Sequence, residues 1–138
     1  MKKLLIIPLI LLVNACAGSG YRDRSIHAQE IISSDTLIFV QRDTGYIGSA
    51  ALVEISHNGK SVSKIGDKES ISIPGVVGTN TISANFGGLA GVGAGKKPIR
   101  TFELKESEKA YFKILLQQNM FTSELKLYEI TQEDFMSD

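Results

Sequence analysis

Residues 49–74 read SAALVEISHNGKSVSKIGDKESISIP, and this stretch decides the fold class. Apolar and polar residues alternate on both sides of the dipeptide Asn58-Gly59. Alternation with a period of two is typical of a strand that buries one face. Asn-Gly favours a type I′ turn, because both central residues of that turn need positive φ. The sequence therefore predicts a β-hairpin that joins residues 49–56 to residues 61–65.

The rest of the chain repeats this pattern of short apolar segments separated by Gly, Pro, Asn and Asp. Such spacing is typical of an all-β sandwich or barrel. We expect one domain over residues 35–138, a small antiparallel β-sandwich or open barrel of seven to eight short strands. The final TQEDFMSD predicts either a short helical turn or a frayed tail. The expected strands cover residues 36–42, 49–56, 61–65, 69–74, 81–86, 98–104, 110–118 and 123–130, and the aromatic residues expected in the core are Phe39, Phe86, Phe102 and Phe112.

The amino-terminal segment predicts a secretory leader. Lys2 and Lys3 precede an apolar run over residues 4–13, about half the roughly 20 residues that a membrane-spanning helix needs. The run ends in VNAC, which resembles the lipobox of bacterial lipoproteins. That resemblance implies a signal peptide over residues 1–15, acylation of Cys16, and a tether over residues 16–34. Cleavage after NACA, with an incidental Cys16, is the alternative.

Acyl chains on Cys16 would anchor the protein to a membrane of the bacterial envelope, since each buried methylene contributes about 0.8 kcal/mol. In the lipoproteins that this motif resembles, Asp after the cysteine retains the protein in the inner membrane. Ala17 stands at that position here. The resemblance therefore implies an outer-membrane lipoprotein that faces the periplasm.

Composition excludes several function classes. Fifteen Lys and Arg balance fifteen Asp and Glu, whereas a nucleic-acid-binding protein normally carries a clustered basic surplus. A single cysteine can form neither an internal disulfide nor a thiolate zinc site. His57, beside the predicted turn, has no nearby histidine as a metal co-ligand, and we expect it to be exposed. No serine lies in a nucleophile-elbow context, so we predict no enzyme, no cofactor and no metal.

The order of the segments resembles a family of small bacterial lipoproteins that is known only as a domain of unknown function. The resemblance covers roughly residues 36–130 and rests on LIFVQRDTGYIGSA, SHNGKSVSKIGDKESISIPGVVGTNTISA, a GG loop, FELKESEKAYFKILL and SELKLYEI. Two segments depart from the family pattern: ESEKAYFKI lacks a glycine usual in that turn, and PGVVGTNTIS is a looser turn. The resemblance implies fold and location, and it implies no catalytic residue.

Three connecting segments carry candidate contact residues for a partner. GGLAGVGAGKK (87–97) is rich in glycine and ends in lysines, but no Ser or Thr follows the lysine and a strand replaces the helix of a phosphate-binding loop. We expect a connecting loop there, and long glycine-rich loops are often functional. The turn around RDTGYIGSA and the NMFT connection are the other two segments. The candidate residues are Tyr46, Ile47, Leu89, Val92, Lys96, Lys97, Met120 and Phe121.

Together these features predict a non-enzymatic outer-membrane lipoprotein whose β-sandwich is an interaction or structural module. Its expected partners are the membrane, through the lipid anchor, and an unidentified envelope protein. One alternative is an inhibitor or immunity-type lipoprotein that binds an envelope-active enzyme through an exposed loop. The other is a binder of a small ligand or glycan that uses residues 87–97.

Overall fold

The computed structural model describes residues 34–45, 50–86, 96–120 and 122–137. Within these residues the chain forms eight β-strands and then one short α-helix, so the prediction of an all-β fold with seven to eight short strands is confirmed. The elements are β1 (Leu37–Asp43), β2 (Val53–His57), β3 (Lys60–Ile65), β4 (Ser70–Pro74), β5 (Gly78–Phe86), β6 (Ile99–Leu104), β7 (Lys109–Gln118), β8 (Ser123–Ile130) and α1 (Gln132–Met136).

The strands form a β-sandwich of two four-stranded sheets. Sheet A has the order β4-β1-β7-β8, and sheet B has the order β3-β2-β5-β6. Neighbouring strands are antiparallel except β1 and β7, which are parallel from the pair Leu37–Lys109 to the pair Asp43–Leu115. The expectation of an antiparallel fold therefore needs this one correction. A parallel pair requires a long crossover connection, and the chain between β1 and β7 supplies it by passing through five other strands.

Alternating side chains from both sheets fill the space between the sheets. Each strand turns every second residue inward, which is why the alternation in the sequence predicted the buried positions. Phe102 is half-buried, and its ring centroid lies 4.8 Å from that of the fully buried Phe112. The best-buried inward side chains are Ile38, Val40, Val53, Ile55, Ile65, Ile82, Ala84, Phe112 and Ile114.

The β2–β3 hairpin has the predicted turn. Asn58 has φ 48° and Gly59 has φ 80°, as a type I′ turn requires. The Asn58 side chain extends the hairpin to the next strand, because its Oδ1 accepts a hydrogen bond from the Thr81 N–H at 2.8 Å. A bulge between Ile55 and Ser56 shifts the strand register by one residue.

Phe39 lies on the outer face of sheet A and not in the core between the sheets, so that part of the core prediction was wrong. Its ring stacks on Tyr111 with centroids 5.0 Å apart. Phe135 of α1 covers this pair, with ring centroids 5.7 Å from Phe39 and 5.4 Å from Tyr111. The C-terminal segment is therefore a helix that packs on the sheet. Thr131 and Asp134 start it with a reciprocal capping box.

The sandwich has two distinct ends. At the end that we call the tether end, the described chain begins at Ser34, and β1 starts beside the last residue of β4 and the first residue of β7. At the opposite end, which we call the far end, β1, β3, β5 and β7 finish. Ten-residue β7 runs from one end to the other, a length of roughly 33 Å. No helix among the described residues is long and apolar enough to cross a membrane.

Candidate functional site

All three segments with predicted contact residues connect to strand ends at the far end of the sandwich. Gly45 and Ala50 flank the first segment, Phe86 and Lys96 flank the second, and Met120 lies in the third. Met120 is 90% exposed, and Lys96 and Lys97 are exposed as well. The other predicted contact residues lie outside the described residues: Tyr46, Ile47, Leu89, Val92 and Phe121.

Arg42 is a buried cation just beneath the far end. It is 1% exposed and is the largest fully buried side chain among the described residues. Its Nε donates to Thr44 Oγ1 at 2.8 Å, and its Nη1 donates to the carbonyl oxygens of Ala51 and Ile65. The guanidinium carbon lies 5.8 Å from the centroid of the Phe86 ring. One side chain therefore connects β1 with residues that flank two of the predicted contact segments.

Two acidic side chains act on the charge of Arg42, and one of them also orders the turn at Thr44 and Gly45. Burial lowers the pKa of the Arg42 guanidinium, and the charges of Asp67 and Glu69 act in the opposite direction. Arginine stays protonated in proteins, so the site holds a permanent buried charge. Asp67 Oδ1 accepts hydrogen bonds from the backbone N–H groups of Thr44 and Gly45, at 2.7 Å and 3.1 Å. The last described residues before the first segment are thereby held in place.

A groove opens along the edge of the sandwich where β6 of sheet B faces β8 of sheet A. Its volume is about 470 Å³, and it starts at Lys96 and Lys97 near the far end. Arg100 spans the two sheets there, because its Nε donates to the Leu127 carbonyl oxygen at 3.1 Å. We call this feature the β6–β8 groove. The described residues that line it are Lys96, Lys97, Pro98, Ile99, Arg100, Gln117, Glu124, Leu125, Lys126, Leu127 and Tyr128.

The β6–β8 groove is electropositive. Among the described residues that line it, four side chains are cationic and one, Glu124, is acidic. Lys126 Nζ lies 2.7 Å from Glu124 Oε2, and this hydrogen bond lowers the pKa of the Glu124 carboxyl and raises the pKa of the Lys126 ammonium. The charge of Lys96 adds to the lowering at Glu124. Lys96, Lys97 and Arg100 form no ion pair with a described residue, which leaves a local surplus of positive charge.

Apolar side chains lie beside these charges. Ile99 is 56% exposed and Tyr128 is 43% exposed, so both offer large apolar surfaces to solvent at the groove. The sequence predicted Lys96 and Lys97 as contact residues because they end a glycine-rich segment. It did not predict Arg100, Lys126 or Tyr128, because each looks like the polar half of an ordinary strand alternation. These residues become neighbours only because β6 and β8, the edge strands of two different sheets, lie side by side in the sandwich.

His57 is half-buried, so the expectation of an exposed imidazole was wrong. Its Nε2 lies 2.9 Å from Asn80 Oδ1. Asn80 Nδ2 donates to the carbonyl oxygens of Val76 and Gly78, so Oδ1 is the acceptor and His57 Nε2 carries the proton. His57 therefore supports the turn between β4 and β5. In the described part of the chain, no group of three or more His, Cys, Asp or Glu could hold a metal ion. Cys16 lies outside the described residues.

No protein-family model and no curated protein matches the chain. The structure is similar to one described as the NMR structure of the protein from Eubacterium rectale. The two proteins are 15% identical, the TM-score is 0.42, and the similarity covers 70% of this chain and 91% of the other. Membership of the lipoprotein family therefore stays a prediction.

Proposed function

We propose that the protein is a non-enzymatic lipoprotein of the bacterial outer membrane whose β-sandwich binds another envelope protein. One observation carries the proposal. β1, which follows Cys16 in the chain, starts at the tether end, whereas the strand ends that flank the predicted contact segments lie at the far end. Anchoring through Cys16 would attach the sandwich to the membrane at its tether end and leave its far end open to a partner in the periplasm.

The far end has the character of a binding surface. Binding residues are often carried by connecting segments that a rigid scaffold positions, as in other β-sandwiches. The hydrogen bonds of Arg42 and Asp67 fix Thr44 and Ala51, which flank the first segment, and this lowers the entropy that binding through that segment would cost. Met120 adds an exposed, adaptable apolar side chain at the same end.

Site-specific photo-crosslinking in intact cells tests the proposal. A photo-reactive amino acid replaces Met120 or Lys97 near the far end, and Lys60 at the tether end serves as the matched control, since it is also exposed to solvent. We expect a discrete adduct with one envelope protein from Met120 and Lys97, and none with that protein from Lys60. Absence of an adduct at all three positions, or equal yields from both ends, would contradict the proposal.

The identity of the crosslinked protein separates the proposed module from the inhibitor alternative. If the adduct contains an envelope hydrolase, the activity of that hydrolase is measured with and without the purified full chain. Stoichiometric inhibition would select the inhibitor or immunity-type form of this function. Unchanged activity would select a structural or assembly role.

A further inference from the structure

We infer that the β6–β8 groove binds an acidic, partly apolar peptide segment of a protein partner. This inference rests on the proposed function, because it names the chemistry that such a partner presents. The described residues that line the groove lie on β6, β7 and β8 and among the three residues before β6. Its volume of about 470 Å³ falls within the range of roughly 300–1,000 Å³ that is usual for ligand sites.

The positive charge of the β6–β8 groove favours an acidic ligand. The whole chain has no formal net charge, so the cationic surplus in the β6–β8 groove is a local feature and not a consequence of composition. Lys96, Lys97 and Arg100 are exposed, and Lys126 already shares its charge with Glu124. Arg100 is held across the two sheets by the Leu127 carbonyl oxygen, so its cationic head is pre-positioned at the groove. Carboxylates are the groups that such a set of ammonium and guanidinium groups recognises.

The exposed apolar side chains at the groove favour a peptide ligand over a free anion. Ile99 and Tyr128 are two of the six large hydrophobic side chains that are exposed in the described part of the chain, and both lie at this groove. Exposed apolar surface of this kind often marks an interaction site, and an apolar group of a ligand would cover both side chains. A segment with aliphatic side chains between carboxylates would contact both kinds of surface at once.

The position of the groove favours a protein partner over anionic lipid. Lys96 and Lys97 precede β6, and the first residue of β6 lies at the far end. β8 also begins at the far end. The tether end, which the lipid anchor would hold nearest the membrane, is the other one. An acidic segment of a periplasmic protein can reach the groove without any rotation of the sandwich.

Peptide binding to the purified full chain in mild detergent tests the inference. The probe is a fluorescent five-residue peptide of alternating Glu and Val, and the control peptide carries Lys in place of each Glu. Fluorescence anisotropy should detect binding of the Glu peptide alone, and the affinity should fall as salt rises from about 50 mM to about 300 mM, because exposed charges are screened. The variant Lys96→Glu/Lys97→Glu should weaken binding by about tenfold.

The matched control is Lys60→Glu/Lys109→Glu, which makes the same charge change at two exposed lysines at the tether end, and it should bind like the wild type. Equal binding of the two peptides, or salt-independent binding by the wild type, would overturn the inference without reliance on any variant. So would binding to phosphatidylglycerol vesicles through Lys96 and Lys97 with no binding of the Glu peptide. A crosslinked partner at Met120 without peptide binding would overturn this inference and leave the proposed function standing.

Discussion

Arg42 shows how a single residue can organise the far end of a β-sandwich. It occupies an inward position on β1 that an aliphatic residue would fill in most strands, and it donates to carbonyl oxygens on residues of two other segments. A buried cation is costly unless hydrogen bonds satisfy it. Thr44, Ala51 and Ile65 supply those acceptors, while Asp67 and Glu69 offset the charge.

We predict that Arg42→Met lowers the free energy of unfolding by about 3 kcal/mol, because it leaves two backbone carbonyl groups and the Thr44 hydroxyl without their donor. Urea unfolding followed by far-UV circular dichroism measures the change. Lys64→Met is the matched control, since Lys64 is exposed in a strand of the same sandwich, and it should change stability by less than about 0.5 kcal/mol. A loss below about 1 kcal/mol for Arg42→Met would show that the hydrogen bonds of Arg42 contribute little.

We predict that Asp43 makes the stability of the fold depend on pH in the acid range. The hydrogen bond from Lys68 lowers the pKa of the Asp43 carboxyl, and Lys113 adds to the effect. A folded-state pKa below the unfolded one means that Asp43 stabilises the fold above the unfolded pKa and loses that contribution as pH falls through the folded pKa. Asp43→Asn should therefore reduce the free energy of unfolding near pH 7 by less than about 1 kcal/mol. Below about pH 4 the free energy of unfolding of the variant should fall less steeply with decreasing pH than that of the wild type, because the variant lacks this carboxyl. If urea unfolding shows that the stabilities of the variant and the wild type fall equally steeply as pH decreases, this prediction is wrong.

At the scale of elements, a signal carried by adjacent residues predicted a turn correctly. The pairing of strands that are far apart in the chain could not be predicted from such signals. The Asn58-Gly59 turn lies where the sequence predicts it, because the positive φ values depend on two adjacent residues. The parallel pairing of β1 with β7 has no local signal, since the partners are far apart in the chain and each segment looks like an ordinary strand. The outward position of Phe39 was missed for a related reason: an aromatic in an apolar run predicts burial, but not which side of the sheet it faces.

The short helix α1 is a second element whose role depends on packing. Phe135 covers the stacked rings of Phe39 and Tyr111, so the helix closes an apolar patch on the outer face of sheet A. Helices of this length are unstable alone, and the aromatic contacts supply the missing stability.

We predict that Phe135→Ala lowers the free energy of unfolding by about 1–2 kcal/mol, because it removes two aromatic pairs and uncovers Phe39. Met136→Ala is the matched control from the same helix, since Met136 is 74% exposed, and it should have almost no effect. Urea unfolding of the two variants is compared with that of the wild type. Equal effects of the two substitutions would indicate that α1 does not pack through Phe135.

At the scale of the whole molecule, the two ends of the sandwich have different tasks in the proposed function. The sequence predicted three separate contact segments but not that they share one end, since strand order and crossovers decide which connections are neighbours. Of the four cations among the described residues that line the β6–β8 groove, it predicted two, Lys96 and Lys97. Arg100 and Lys126 belong to different sheets, and their proximity follows only from how the sandwich closes.

Anchoring of the tether end through Cys16 is the central claim, because the free far end and its partner depend on it. In the proposed function acyl chains on Cys16 hold the protein at the membrane, since the apolar run over residues 4–13 is only about half as long as a membrane-spanning helix. Intact mass spectrometry of the protein purified from membranes tests this directly. We predict a chain that begins at Cys16 and carries the added mass of a diacylglyceryl group and one further acyl chain. A product that retains residues 1–15, or one with a free Cys16 thiol, would contradict the claim.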